Sequence, residues 1–225
     1  MSTSVVDYNS LTNAVANWMM RSGNADFLSN APDFIAFFEN TLNFGSDDPQ
    51  FPSPPFRVSQ MEIPQTTVTI LSSTNSVFLP SDFLQLRRIY TSGSPIQKLT
   101  YVTPNQMDST LANYPAGPPE EFYTIMGGQL VLASGVSTAM TIVFGYYQKI
   151  PALSSSNTVN WLLTAHPGLY LAGAITQGAL FLGDDGEAQK WARISTAHIR
   201  AFRKQDLNAR YSGDALQMKT DVGNP

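Results

Sequence analysis

The sequence has no cysteine. That single absence excludes disulfide frameworks, thiolate zinc sites, iron–sulfur clusters and cysteine nucleophiles. Charge is also scarce: Asp, Glu, Lys and Arg supply 13% of 225 residues, about half the usual share. Such a surface is either covered by copies of the same chain or dressed in Ser, Thr, Asn and Gln, and composition favours neither. The net charge of −4 argues against a general nucleic-acid or membrane coat. No Asn-x-Ser/Thr sequon occurs, and residues 1–8 show no basic cluster ahead of an apolar run, so no secretory signal is visible. Phosphate-cradling glycine loops are missing in both their common spacings. The longest apolar-leaning stretch, Thr158 to Leu182, contains His166, Pro167 and Gln177 and has no basic anchors beside it. It reads as a buried helix at a tightly packed interface, not as a membrane span.

What is present is a change of period along the chain. Leu11, Val15, Trp18 and Met19 fall on one face of a helix, with Asp7 or Ser10 as cap and Gly23 as stop. A second helix is signalled by Asn30, by Pro32 in its first turn, and by Phe34, Ile35, Phe38 and Leu42. Pro49, Pro52, Pro54 and Pro55 then make a stiff joint that no helix can cross. Beyond it the pattern alternates. Short strands are indicated at Val58 to Ile63, Thr67 to Leu71, Val77 to Leu79, Leu86 to Tyr90 and Ile96 to Val102, with a short helix from Pro104 to Asn113 capped by Thr103. The strongest β signal is Phe122 to Met126, then Gly127-Gly128, then Gln129 to Leu132: two glycines supply the positive φ angles of a hairpin turn. A turn at Ser134 to Thr138 leads into Ala139 to Tyr147, predicting a three-stranded antiparallel meander.

From Asn160 the helical period returns. Trp161 to Leu163 makes a short turn before Pro167. Gly168 to Leu182 carries Leu171, Ile175 and Leu182 on one face, and on another a ridge of small residues, Ala172, Thr176, Ala179 and Gly183, that admits a neighbouring helix backbone. The last helix, Glu187 to about Arg210, gathers Ile194, His198, Trp191, Phe202, Ser195, Ala188 and Ile199 on a core arc. Lys190, Arg193, Ala197, Arg200 and Lys204 gather on a basic arc. Residues 212–225 have no periodicity and read as a mobile tail. The fold class is therefore α+β: a helical bundle from both chain ends with an inserted antiparallel β-rich module. The segments are 1–50 (N-terminal helices), 51–153 (β-rich module), 154–211 (C-terminal helices) and 212–225 (extended tail).

Little here supports bond-making chemistry. His166 and His198 lack a metal-ligand spacing; His198, beside Trp191 and Phe202, reads as a hydrogen-bonded core or interface histidine, and His166 as helping to set a helix start. Gly135 to Ala139 falls one residue short of a nucleophile elbow. Asp184-Asp185-Gly186-Glu187 lacks the other positions of a calcium loop and reads as helix capping. Glu120 and Glu121 are adjacent, so in extended chain they point to opposite faces. No catalytic, metal-binding or cofactor-binding set emerges. The basic arc has three readings: a solvated face, a dock for an acidic protein partner, or a nucleic-acid contact. The aromatic residues lie on the opposite side, which counts against nucleic acid. The candidate partner-binding residues are Lys190, Arg193, Arg200, Arg203, Lys204 and Arg210.

Several blocks carry a resemblance. Asn160-Trp161-Leu162-Leu163, His166-Pro167-Gly168-Leu169-Tyr170-Leu171-Ala172-Gly173-Ala174, Leu182-Gly183-Asp184-Asp185 and Trp191 look like the head-to-tail adaptor (connector) proteins of short-tailed bacteriophages. Leu79 to Leu84, Tyr146-Tyr147 before Ile150-Pro151-Ala152-Leu153, and the Leu11 to Trp18 helix agree. Gly168 and Ala172 depart from the pattern, which has an acidic residue and a tyrosine there. The resemblance implies a structural, non-enzymatic virion protein of the tail or neck, assembled in the host cytoplasm without a cofactor. It implies a homo-oligomeric ring, usually of twelve copies, that joins the portal protein to downstream tail or nozzle proteins. That ring continues the DNA channel without sequence-specific contacts and involves no membrane. It implies packing roles for Trp161, Leu163, Leu169, Tyr170 and Leu171, and a C-terminal tail that docks on the portal. Two other functions compete. A tail-associated hydrolase of cell-wall or capsule polymer needs a spaced carboxylate pair or a competent histidine. A soluble nucleic-acid binder would use the basic helix and show salt-dependent affinity.

Overall fold

A computed structural model describes residues 4–93, 95–113, 121–133 and 138–211. The sequence readings for the 134–138 turn, the elbow-like run from Gly135, Glu120 and the 212–225 tail lie wholly or partly outside these residues. The fold is α+β, with helices from both ends of the sequence and two β-sheets formed by the middle. It divides into a helical unit, drawn from the chain up to Val58 and from Ile150 onward, and a β unit, Ser59–Lys149.

In the helical unit, α1 (Tyr8–Trp18) opens with a reciprocal cap: Asp7 Oδ1 accepts from Ser10 N at 2.7 Å while Ser10 Oγ accepts from Asp7 N at 2.8 Å. The helix stops at Trp18, well before Gly23, because Met20 takes a left-handed turn at φ 55°. Leu11, Ala14, Val15 and Ala16 are buried, whereas Trp18 is exposed and meets Trp191 edge-on at 5.5 Å. The second helix, α2 (Ala25–Phe44), starts earlier than the sequence predicts and runs through Pro32. Proline there removes one helix hydrogen bond. The Asn24 cap on Phe27 N (3.0 Å) and the burial of Phe27 and Ala31 hold the additional turns in place.

Helix α4 (Trp161–Ala165) is capped by Asn160, and α5 (Pro167–Phe181) follows with Pro at its first position. Helix α5 is buried nearly all round and packs against α1, α2, α4 and α6 (Asp185–Arg210). Its glycines accept aromatic rings more than a helix backbone. A Cβ at Gly173 would overlap the Phe38 ring, and one at Gly178 would lie 3.2 Å from Phe27 and 3.4 Å from Phe34. Asp184 caps α6 by accepting from Glu187 N at 3.0 Å, so the acidic Asp184-Asp185 pair serves the helix start. The buried stripe of α6 is Ala188, Ser195, Ile199, Phe202 and Asp206. Ile194 and His198 are exposed, which corrects their assignment to the core arc. At 100° per residue the stripe centres on Ala188 and Asp206, with His198 about 80° and Ile194 about 120° away from that centre.

In the β unit, β1 (Glu62–Ile70), β7 (Met140–Gln148) and β3 (Phe83–Thr91) form a three-stranded sheet in that order. The second sheet orders β2 (Ser76–Phe78), β6 (Gln129–Leu132), β5 (Phe122–Met126) and β4 (Thr100–Tyr101). The β5–β6 hairpin turns at Gly127 and Gly128, with φ of 59° and 73°, as the sequence predicts. Helix α3 (Pro104–Asn113) also begins as predicted, Thr103 Oγ1 accepting from Gln106 N at 3.3 Å. Two expectations fail. The three-stranded meander does not form, since β7 leaves β6 and pairs with β1 and β3. The unbroken apolar run Ile142 to Tyr147 suits a central strand with a partner on each side. The sheets are also not wholly antiparallel, because β4 pairs with β5 in parallel. Ile70, Ile89, Leu99, Tyr123, Leu130, Leu132, Ile142, Phe144 and Tyr146 form the shared core. Full burial of one such side chain contributes about 1.5–3 kcal/mol.

Candidate functional site: the basic face of the last helix and its cleft

Helix α6 presents the basic residues that the sequence singles out, but does not bring them together as one patch. Arg193, Arg200 and Lys204 are exposed on the face opposite the buried stripe. Lys190 is also exposed, yet its Nζ lies 3.0 Å from Glu187 and 5.6 Å from the Trp191 ring centre. Glu187 further accepts from Trp191 Nε1 at 3.0 Å. Arg203 points elsewhere: its guanidinium donates to the Pro54 and Pro55 carbonyls at 3.1 and 2.9 Å and lies over Phe56. Burial lowers its pKa. Arg210 pairs with Asp206 at 3.1 Å. Arg203 thus fastens the proline-rich segment to α6, and Arg210 secures the helix end.

Arg193 and Arg200 line a cleft of about 490 Å³ within the helical unit. Phe38 and Thr41 of α2 form one wall, and Gln189 to Arg200 of α6 the other; Gly173, Thr176 and Gln177 of α5 form the floor. The loop Gln50 to Ser53 closes one end. That loop is fixed by its own backbone. Ser46 and Ser53 exchange N–H···O bonds of 2.7 and 2.8 Å, and Gln50 N donates to Asp48 Oδ1 at 2.7 Å. Gly45 makes this possible: it sits at φ 84°, and a Cβ there would be 2.8 Å from the Ser53 carbonyl oxygen. No acidic side chain is among the residues that line the cleft. In sequence this region reads only as a proline joint. The one signal that could have marked it is Gln50-Phe51-Pro52, an aromatic–proline pair in the segment after a helix end.

A second feature escapes sequence reading entirely. Glu39 is buried in the helical unit, and its Oε1 accepts from Tyr170 Oη at 2.8 Å and from Leu153 N at 3.0 Å. Asn160 Nδ2 donates to Tyr170 Oη and to the Pro151 carbonyl, each at 2.7 Å, while its Oδ1 caps Leu163 N at 2.8 Å. Asn43 Oδ1 accepts from Ile150 N at 3.0 Å. Burial pushes the Glu39 carboxyl up to about 7, against the stabilising bonds from Tyr170 and Leu153. The Tyr170 hydroxyl is raised far above its ordinary value by burial and by the Glu39 charge. The network ties residues 150–160 to α2 and α5. It gives Asn160 and Tyr170 a polar role beside the packing expected for Tyr170.

The two histidines approach each other despite their sequence separation. His166 lies edge-on to Phe202 at 4.4 Å, and burial and the His198 charge both lower its pKa. The ring of His198 comes within 3.6 Å of where a Cβ on Gly168 would stand. Among the described residues no group of three or more His, Asp or Glu could hold a metal ion, and no helix is long and apolar enough to cross a membrane.

A comparison with curated proteins finds no match. A comparison with protein families does: the family described as SU10 adaptor protein matches residues 6–221.

Proposed function

We propose, from the premise that this chain belongs to the SU10 adaptor protein family and is a structural adaptor of the phage virion, that it forms a ring of about twelve copies between the portal and the tail and continues the DNA channel. The family match over nearly the whole chain carries this reading. Exposed apolar side chains support it: on the helical unit Phe37, Phe44, Phe181 and Leu207 are each more than half exposed, too much apolar surface to leave to water. In this reading copies cover those side chains, and the basic face of α6 meets an acidic partner such as the portal or a tail protein. Individual exposed ion pairs contribute about 0–1 kcal/mol, so repetition around the ring supplies the strength. Light scattering of the purified chain, alone and mixed with its portal, tests the proposal. A discrete complex of portal with a ring of copies is expected. A chain that stays monomeric and unbound in the mixture overturns it.

A further inference from the structure

We propose that the cleft between α2 and α6 docks an extended acidic peptide segment of a protein partner, with Arg193 and Arg200 taking its carboxylates and Phe38, Phe51, Pro52 and Ile199 receiving an apolar side chain. This deepens the reading that the basic face of α6 meets an acidic partner, and rests on it for the class of partner alone.

Charge makes the first argument. The lining holds two arginines and no carboxylate. Neither arginine forms an ion pair among the described residues, whereas Lys190, Arg203 and Arg210 are engaged by Glu187, by two carbonyls and by Asp206. Two exposed guanidinium groups in a lining that also holds Phe38, Phe51, Pro52 and Ile199 are complementary to carboxylates, which they can grip in bidentate fashion.

Size and spacing make the second. A cleft of about 490 Å³ is of the size that receives small ligands and short peptides, not a folded element. Arg193 and Arg200 are seven residues apart on α6, two turns, or about 10 Å along the axis. An extended chain covers that distance in about three residues. Because side chains alternate across an extended chain, acidic residues four positions apart with an apolar residue midway share one face and, within the reach of the long arginine side chains, match both cations and the apolar lining at once. Gln50, Gln177 and Gln189 supply amide donors and acceptors for the segment's main chain.

Rigidity makes the third. The loop that closes the cleft is already held by the Ser46–Ser53 pair of backbone bonds and by the geometry that Gly45 permits. A preformed wall lowers the ordering cost of binding. A nucleic-acid strand fits less well, because tracking its phosphates needs a row of cations, and two line the cleft.

The test uses the full chain and fluorescence anisotropy at low salt. The probe is a labelled octapeptide with two aspartates four positions apart and a leucine midway between them, all three on one face of the extended chain; its controls carry asparagines instead, or are an octamer of deoxythymidylate. The acidic peptide should bind at least about tenfold more tightly than the asparagine control, since charge-assisted bonds are the strong ones. Arg193→Glu with Arg200→Glu should abolish that preference. Ala197→Trp, which fills the cleft without changing its charge, should weaken binding about tenfold by excluding the apolar side chain. Lys204→Glu, outside the cleft, should weaken it less than about twofold. Circular-dichroism melts confirm that each variant folds. Equal binding of the asparagine peptide, equal or tighter binding of the deoxythymidylate octamer, or unchanged binding by Ala197→Trp overturns the proposal. So does a chain that ignores the peptide and self-associates only while both arginines are present, which makes a second copy the occupant. Peptide binding without ring formation sinks the ring reading and leaves this one standing; a ring with no peptide preference does the reverse.

Discussion

The helical and β units reach a packed core by different means. The helical unit buries Glu39, Asn43, Asn160, Thr176, Ser195 and Asp206 among its apolar side chains. It also fits aromatic rings of α2 into glycine positions of α5. The β unit buries Thr91 and Thr124 and, among its described residues, no carboxylate; the hydroxyls in its core belong to tyrosines such as Tyr123 and Tyr146. Its core is aliphatic and aromatic side chains shared by two sheets. A core of the first kind is specific: each polar group must find one partner, so few rearrangements are allowed. A core of the second kind tolerates exchange of one apolar group for another of similar volume. The unit that carries the cleft is thus the one whose internal geometry is most tightly prescribed.

The largest test of that contrast is the pH dependence introduced by Glu39. Its folded pKa of about 7 lies above the unfolded value of 4.5. The folded state therefore binds the proton more tightly, and the resulting stability is full below pH 4.5 and lost as pH rises through 7. The stability of the native chain relative to Glu39→Gln should fall by about 3 kcal/mol between pH 4.5 and pH 8. Urea titrations at a series of pH values measure this, and a constant difference would break the contrast. His166, whose pKa is lowered, acts in the opposite sense: its contribution is present above pH 6.5 and is lost as pH falls through its folded value.

Next come the two glycines that accept close neighbours. Gly173→Ala forces a methyl into the buried Phe38 ring and should cost about 3 kcal/mol. Gly145→Ala, in the β unit, meets the Pro64 carbonyl at 2.8 Å beside the bulge in β1 and should cost about 2 kcal/mol. Denaturant midpoints of both variants decide whether the helical unit is the less forgiving. A smaller effect is expected at a helix start: Asn24→Ala removes the α2 cap and should cost about 1 kcal/mol in thermal unfolding. The smallest is Arg87→Ala, which loses an exposed 3.5 Å pair with Glu62 and a contact of its guanidinium over the Tyr147 ring at 5.3 Å, and should cost less than about 1 kcal/mol.

What the sequence disclosed follows from the range of the forces involved. The β5–β6 hairpin, the α3 start at Thr103 and the Asp184 cap are decided by neighbours within four residues, and all were readable. The destination of β7 was not, because its partners β1 and β3 lie far away in sequence and nothing local distinguishes them from β6. Pro32 misplaced the start of α2, since local propensity opposed turns that Phe27 and Ala31 hold by tertiary burial. The sequence locates the stripe on α6 but centres it too far toward His198, because a helix pattern cannot say which edge the neighbours cover. Glu39 is one of three carboxylates on the amphipathic helix α2, with Asp26 and Asp33, and such a residue reads as solvent-facing until Tyr170 and Leu153 arrive from more than a hundred residues away. The basic residues were legible as types, whereas the engagement of Arg203 by two carbonyls, and the cleft between Arg193 and Arg200, require the fold.

The sequence has three tryptophans, Trp18, Trp161 and Trp191, and all belong to the helical unit. Indole emission is therefore a private reporter on that unit, while far-ultraviolet ellipticity records helices and strands together. If the two signals trace superimposable melting curves, the halves of the molecule come apart as one cooperative body; if they separate, each has its own transition. An unmodified sample and two ordinary spectrometers can thus resolve how the parts depend on each other, with no label introduced.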